Sequence, residues 1–510
     1  MANEVSQRKV LLLLIFRVLL LPVGVILFLI LFISYWERHN TGTVTPNQQQ
    51  TPPPVENKGK SPPKKIKLQF EDITFQENFF FGSASSTFQT TGGDGNTDWN
   101  VYINQNSGEK DKDGKVFIGP SSGTDFFNRY KEDYDLAGEI GIQVHRLSLE
   151  WACIEPEEGK FSQECINKYL AIFSYMKGKG IEPMICLNHF ALPLWFVEKG
   201  GWESNDAAYY YSRYAHIVAA KIGKPLNIKW WLTFNEPQMM LIGYTKGVWP
   251  PNKPVKGIFD AEGTERALFV ASHLIDAHRL SYRLIHKIIG PKTMVGFASA
   301  PGSFYPEDSD STLDQIAYNI YNSIDTLMFD YAVGKVDRDF IGLNYYGRTK
   351  LKLHISLPGA VKSWLTTENP VNFQWYGPDE RKQGNRPKEF EPRALYELIM
   401  KFKDIGLPIV ITENGLSDDK DEFREEFITI HLKAIRDAMR DGANIIGYQY
   451  WALTDTWEWD GSFSQMGLVK IDRDNHLDRQ LRSSALTYGE IIKSHKITKE
   501  LLEKHKELLN

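Results

Sequence analysis

From about residue 79 onward, short apolar runs of strand length recur in this chain with amphipathic, helix-length stretches between most of them. Strands are expected near 79–86, 144–151, 182–189, 229–236, 294–300, 339–346, 408–414 and 445–453. Helix-period stretches fall at 125–140, 163–179, 206–222, 266–289, 393–405 and 421–440. Near-continuously apolar strands alternating with helices imply a parallel sheet covered on its faces. Eight such units in roughly 420 residues fit the α/β class as a (β/α)8 TIM barrel with long loops. A doubly wound open sheet is the alternative, but no Gly-rich phosphate fingerprint follows the first strand. The barrel also accounts for the polar residues gathered at strand C-terminal ends, the face on which barrel sites are built.

Two of those ends carry a carboxylate. Thr233-Phe234-Asn235-Glu236-Pro237 closes one apolar run and Ile411-Thr412-Glu413-Asn414-Gly415 closes another. Glu236 and Glu413 are 177 residues apart, so only a fold that returns both strands to a shared centre can bring them together. Either Glu alone reads as a solvated loop residue. Two carboxylates facing each other across a small gap are what cleavage of a glycosidic bond requires.

Composition narrows the partners. The 510 residues carry a formal net charge of −5 and no long basic face, which argues against nucleic acid. Thirteen Trp and twenty-three Tyr concentrate near the expected strand ends, where aromatic faces suit the apolar C–H surfaces of sugar rings. Part of that aromatic content is ordinary core. The three cysteines, Cys153, Cys165 and Cys186, are too few for a paired framework, and Cys186 reads as inert core. No Cys/His cluster has metal-ligand spacing, so neither a metal nor a cofactor is expected.

The N-terminal region differs in kind. An apolar stretch at 10–36 is interrupted only by Arg17, and its uninterrupted part, 18–33, extends to about nineteen residues, close to the roughly 20 that span a bilayer. It reads as an uncleaved transmembrane helix rather than a signal peptide, because no small-x-small cleavage site follows. Arg8, Lys9 and Arg17 on its N-terminal side place the N-terminus in the cytoplasm and the remainder outside. The expected organisation is a cytoplasmic stub and membrane anchor at 1–39, a disordered Pro/Gln/Lys-rich linker at 40–69, the barrel at 70–495 and a charged helix or tail at 496–510. The oligomeric state is not legible.

Between about 79 and 492 the chain resembles glycoside hydrolase family 1, the β-glucosidase and β-galactosidase group. The Thr-Phe-Asn-Glu-Pro and Ile-Thr-Glu-Asn-Gly segments match that family's two signatures, in order and on the fourth and seventh strands. The resemblance implies a retaining exo-acting β-glycosidase with Glu236 as general acid/base and Glu413 as nucleophile, acting on a small β-glycoside or oligosaccharide. Arg146 and Tyr346 match the family positions that meet the nucleophile, with a structural ion-pair partner as the lesser alternative for Arg146. Gln89, His189, Asn235, Glu458 and Trp459 match positions that bond the sugar's hydroxyls, and Trp451 matches the aromatic platform beneath it. Asn344 matches a supporting position near the cleft, and Trp249 is a candidate wall on the aglycone side. A carboxylate at 458 would repel a 6-phosphate, which favours unphosphorylated sugars. A Glu at 236 argues against the family's thioglucosidases, which lack the acid.

The chain also departs from the family pattern. Gln89 is followed by Thr90-Thr91, the string Trp451-Ala452-Leu453 replaces Trp-Ser-Leu, and Thr456-Trp457 and Met466 stand where Asn-Phe and Phe are usual. These leave the reacting groups intact but put the choice among glucose, galactose, fucose and mannose in doubt. A transglycosidase using the same intermediate, and a non-catalytic glycan-binding receptor on the same barrel, are the competing functions.

Overall fold

Eight buried strands close a barrel in which every neighbour runs parallel. They are β1 (Phe80–Ser86), β2 (Val144–Ser148), β3 (Glu182–Cys186), β4 (Trp230–Asn235), β5 (Met294–Ser299), β6 (Ile341–Asn344), β7 (Ile409–Asn414) and β8 (Ile445–Trp451), and β8 pairs with β1. The structure, a computed structural model, describes residues 70–506 apart from 94, 111–113, 257–259, 307, 312–313, 316–317, 319–328, 331, 355–371 and 377–389, with backbone alone at 350–354 and 372–376. The expected membrane anchor at 1–39 and linker at 40–69 lie outside the described residues, among which no helix is long and apolar enough to cross a membrane.

Strand periodicity sorts the side chains. Val144, Met184, Cys186, Trp230, Leu232, Ala298, Phe340 and Val410 form one buried cluster that plugs the barrel interior. Leu147, Ile185, Trp231, Val295, Ile409 and Ile411 point outward into a second, larger core shared with the helices. Those helices are α1 (Phe126–Ile140), α2 (Gln163–Gly178), α3 (Ala207–Val218), α4 (Ala261–Ile289), α5 (Pro392–Lys403), α6 (Arg424–Arg440) and α7 (Ser483–Ser494). Local chemistry sets several ends. Ser162 caps α2 by accepting from the Cys165 amide, and Asp260 caps α4 by accepting from the Gly263 amide, which starts that helix five residues before the expected position.

Most expected strands run a few residues too long, because the chain beyond each strand remains apolar and buried while turning into the loop that carries the site. Trp151, for instance, already begins the short helix Trp151–Ile154. After β8 the chain makes two small antiparallel pairs, Thr456–Glu458 with Ser462–Ser464 and Val469–Asp472 with Asp478–Leu481, before α7. Beyond α7, Lys496–Ile497 pairs antiparallel with Ile73–Thr74, and a final short helix covers Lys499–Lys504.

One expectation is corrected. Cys153 and Cys165 form a disulfide, with Cα atoms 5.9 Å apart, while Cys186 stays free and buried. The turn from the Trp151–Ile154 helix into α2 doubles back, with the Ser162 amide donating to the Ile154 carbonyl at 2.9 Å. That reversal makes a single local bridge possible where three cysteines cannot build a framework.

Candidate active site

Strict alternation would point the wrong residues into the barrel. On β4 the inward positions are Trp230 and Leu232, so Phe234 should follow and Asn235 should face out. A register shift between Leu232 and Asn235 reverses this. Phe234 instead stacks on Tyr211 in the outer core, at 4.6 Å between ring centroids, and Asn235 faces Arg146. On β7, with Val410 inward, a shift between Ile411 and Glu413 turns Glu413 into the barrel mouth and leaves Asn414 bonded to Tyr448 and the Tyr345 carbonyl. Bulges of this kind re-aim side chains beside active sites. Glu236 then leaves β4 with φ +46°, and its amide donates to the Ala298 carbonyl on β5 at 2.8 Å.

The two carboxylates meet different surroundings. Glu413 is buried, with Oε1 held by the fully buried Arg146 guanidinium and Oε2 accepting from the Tyr346 hydroxyl at 2.6 Å. Burial, then the Glu413 charge beside it, pushes the Tyr346 phenol well above its ordinary range, so it remains a donor. Glu236 has no cation of its own. Asn344 Nδ2 donates to its Oε1 at 2.7 Å. Burial first, and then the negative charge of Glu413, raise the Glu236 carboxyl to about 8, against weaker opposing pulls from Asn344 and Arg146. At pH 7 Glu236 is therefore largely protonated.

A relay of amides joins the pair. Asn235 Oδ1 accepts from Arg146 at 2.9 Å and from Asn344 at 3.0 Å, and Thr412 donates to Asn344 Oδ1 at 2.7 Å. Because Arg146 can only donate, the Asn235 amide is oriented, and its Nδ2 donates to His189 Nε2 at 3.0 Å. The His189 proton then sits on Nδ1, directed at Ser148 Oγ 3.0 Å away. Burial and Arg146 hold His189 well below its ordinary range, so the ring is neutral.

Aromatic rings build the adjoining pocket. The Trp451 ring lies 5.5 Å from the Arg146 guanidinium and 5.6 Å from His189, and Trp459 stacks on His189 at 5.8 Å and on Phe88 at 5.3 Å. Glu458 accepts from Trp451 Nε1 at 3.3 Å and from Gln89 Nε2 at 3.3 Å. Burial is the main cause that lifts the Glu458 carboxyl to about 8, with Glu413 adding to it. Gln89 Oε1 and Trp459 Nε1 are buried without a hydrogen-bond partner among the described residues, a costly state that a polyhydroxylated ligand would relieve. Trp249 packs on Trp99 and Phe190, each at 5.5 Å, at the edge of this wall. The described residues contain no group of His, Cys, Asp and Glu side chains fit to hold a metal.

Every residue singled out in the sequence thus falls in one connected region. Several supports were not anticipated. Thr412 and Ser148 orient Asn344 and His189, and Asp455 anchors the loop after β8 by accepting from Arg482 at 2.7 and 3.0 Å and from the Gly467 and Ile471 amides. Gly415 is needed because a Cβ there would lie 1.8 Å from the Trp451 carbonyl oxygen. Thr412, Gly415 and Asp455 stand inside the motifs themselves, which was the available signal.

Comparison with known proteins agrees with the fold. Residues 71–335 and 328–497 match the model for glycosyl hydrolase family 1. The chloroplastic galactolipid galactosyltransferase SFR2 of Arabidopsis thaliana is 30% identical over 399 residues, covering 74% of this chain and 59% of that protein. A β-galactosidase of Pyrococcus woesei is 26% identical over 520 residues, covering 84% of this chain and 99% of the relative. Among solved structures, a β-glycosidase from Pyrococcus horikoshii superposes with a TM-score of 0.73 at 29% identity, covering 85% of this chain and 98% of its own. An aphid myrosinase shares the fold, with a TM-score of 0.70 at 23% identity over 83% of this chain and all of its own.

Proposed function

The chain belongs to glycosyl hydrolase family 1, and on that premise we propose that it is a retaining exo-β-glycosidase acting on terminal, unphosphorylated β-glycosides. The opposite treatment of two carboxylates carries this reading. Glu413 is matched by a buried guanidinium and a phenol, as an ionised nucleophile requires, whereas Glu236 is kept protonated near neutrality, as a general acid requires. In the first step Glu413 attacks the anomeric carbon as Glu236 gives its proton to the departing oxygen, leaving a covalent glycosyl–enzyme. In the second, Glu236 takes a proton from water, whose oxygen replaces Glu413 on the sugar. Asn235 would bond the 2-hydroxyl, a contact that strengthens as positive charge develops at the anomeric carbon. Gln89, His189, Glu458 and Trp459 would hold the other hydroxyls over the Trp451 face.

The test is turnover of a panel of aryl β-glycosides. Glu413→Gln should lower kcat by about four orders of magnitude or more while sugar binding persists. Glu236→Gln should lose least on dinitrophenyl glycosides, whose leaving group needs no proton. Equal losses across all leaving groups would remove Glu236 from the acid role. A relative named as a galactosyltransferase supports a second reading, transglycosylation, in which a sugar or alcohol replaces water on the same intermediate. Product analysis with an added acceptor separates the two.

We further propose that the barrel is held outside a membrane by the apolar segment at 10–36. The Cys153–Cys165 disulfide supports an oxidising compartment. Protease added to intact cells should cut the 40–69 stretch and release activity; activity recovered only after lysis would overturn this topology.

A further inference from the structure

Inside the barrel, below the reacting carboxylates, one polar side chain has no part in the chemistry above it. Gln449 on β8 is fully buried, and neither its amide oxygen nor its amide nitrogen has a hydrogen-bond partner among the described residues. Arg146 is fully buried as well, with its Nη atoms committed to Asn235 and Glu413, and its Nε is likewise unpartnered. Gln449 faces inward. It lies two residues before Trp451, whose ring is 5.5 Å from the Arg146 guanidinium, and a Cβ on Gly82 would come 3.2 Å from its Cγ.

The strand register puts these two side chains at one level. From Asn235, the last residue of β4, the paired residues run Ala298, Gly342, Val410, Gly447 and Phe80, the first residue of β1. Pairing thus descends the barrel from strand to strand. A level cross-section climbs one residue per strand relative to it and takes its side chains from alternate strands. Gln449 pairs with Gly82, and Gly82 with Val144. Two strands on from Gln449, the residue at its level is therefore Arg146. Leu232 and Gly342 complete that layer, the first without a polar side-chain atom and the second without a side chain.

We propose that Gln449 is a positioning residue for the nucleophile's cation: through ordered water inside the barrel it holds the Nε edge of Arg146, so that the guanidinium cannot turn away from Glu413. Buried polar atoms are nearly always hydrogen-bonded, and water is the usual partner where side chains supply none. The water accepts from Arg146 Nε and donates to Gln449 Oε1, and the layer has room for it because Gly342 contributes no side chain. The inference rests on the hydrolytic reading above, in which Arg146 steadies the attacking carboxylate. A glutamine that only filled the core would act differently, since an apolar side chain of the same shape could replace it without kinetic consequence.

Two measurements on the full chain test this. The first is a crystal structure at a resolution that shows ordered water. Expected is a water within hydrogen-bond distance of both Arg146 Nε and Gln449 Oε1; a dry interior, or Gln449 bonded directly to Arg146, overturns the bridge. The second is a double-mutant cycle read on dinitrophenyl β-glucoside and β-galactoside. Gln449→Met keeps the length of the side chain and removes both polar atoms, and it should lower kcat about tenfold with KM within about twofold. In an Arg146→Lys background, which keeps the charge but has no Nε–H, the same change should alter kcat less than about twofold. Gln449→Leu serves the same cycle should Met fail to fold. Equal losses in both backgrounds, or no loss in either, overturn the inference and leave the hydrolase intact. A parent chain without turnover sinks the hydrolytic reading, and the density beside Arg146 then still decides whether the bridge exists.

Discussion

Glu236 and Glu413 are the same side chain placed in two fields, and the difference is made by neighbours that can be changed singly. Glu413 has Arg146 and Tyr346 on its two oxygens; Glu236 has one amide, from Asn344. The rate of the first step needs Glu236 protonated, so kcat/KM should fall as pH rises through about 8, the value to which burial and Glu413 lift this carboxyl. The Asn344 hydrogen bond favours the ionised form and pulls that value down. Asn344→Ala should therefore move the alkaline limb to higher pH, while kcat drops about tenfold because Asn235 and Glu236 lose a common support. A pH–rate profile of the variant decides the matter: a limb displaced downward, or unmoved, would mean that Asn344 does not bond the reacting acid. Gln89 shows the same economy from the sugar's side, since its Nε2 is committed to the Trp457 carbonyl at 2.6 Å and to Glu458 while its Oε1 is left open.

Within single elements, the decisive features are the irregularities in β4 and β7 that turn Asn235 and Glu413 inward. The motifs were legible as strings, and their placement at strand ends followed from the apolar runs before them. The bulges were not legible, because period-two alternation carries no mark of where it will be broken, and unbroken alternation would have aimed Phe234 at the sugar. What permits the break on β7 is the packing just beyond it. Gly415 lies against the Trp451 backbone so closely that a Cβ would sit 1.8 Å from its carbonyl oxygen and 2.9 Å from its carbonyl carbon. Gly415→Ala must push β7 and β8 apart, displacing Glu413 and the Trp451 platform together. The expected result is a loss of about 10²-fold in kcat/KM and roughly 1–3 kcal/mol of stability, read from steady-state kinetics and urea unfolding. Stability lost with kcat/KM intact would show that the two strand ends are not held in register by this contact.

At the scale of the whole molecule, the barrel was readable because most of its strands are near-continuously apolar and buried on both faces, which only a sheet covered by helices tolerates. The small sheets after β8 were not, since Thr456–Glu458 and Val469–Asp472 are three and four residues long and take their order from Asp455 and Arg482 rather than from a pattern of their own. The Cys153–Cys165 bridge depends on a chain reversal that spacing does not reveal. The residues after α7 read as a charged helix or tail, and Lys499–Lys504 is a helix; what their charge does not reveal is that Ile497 and Leu502 are fully buried and that Ile497 pairs with Ile73 below the start of β1. This separate two-stranded pair thus ties together the segments before β1 and after α7, on the face opposite the site. The polar contacts there, Lys504 and His505 with Glu425, are only partly shielded from water and add little. Burial of the two apolar side chains should dominate, at roughly 1.5–3 kcal/mol each. A chain ending at Ser494 should accordingly lose roughly 3–6 kcal/mol of unfolding free energy, while kcat/KM measured well below its lowered Tm stays within twofold of the parent. A kcat/KM that fell in step with stability would mean the terminal pairing bears on the geometry at the far end of the strands, and the barrel could no longer be treated as a rigid frame with its stability on one face and its chemistry on the other.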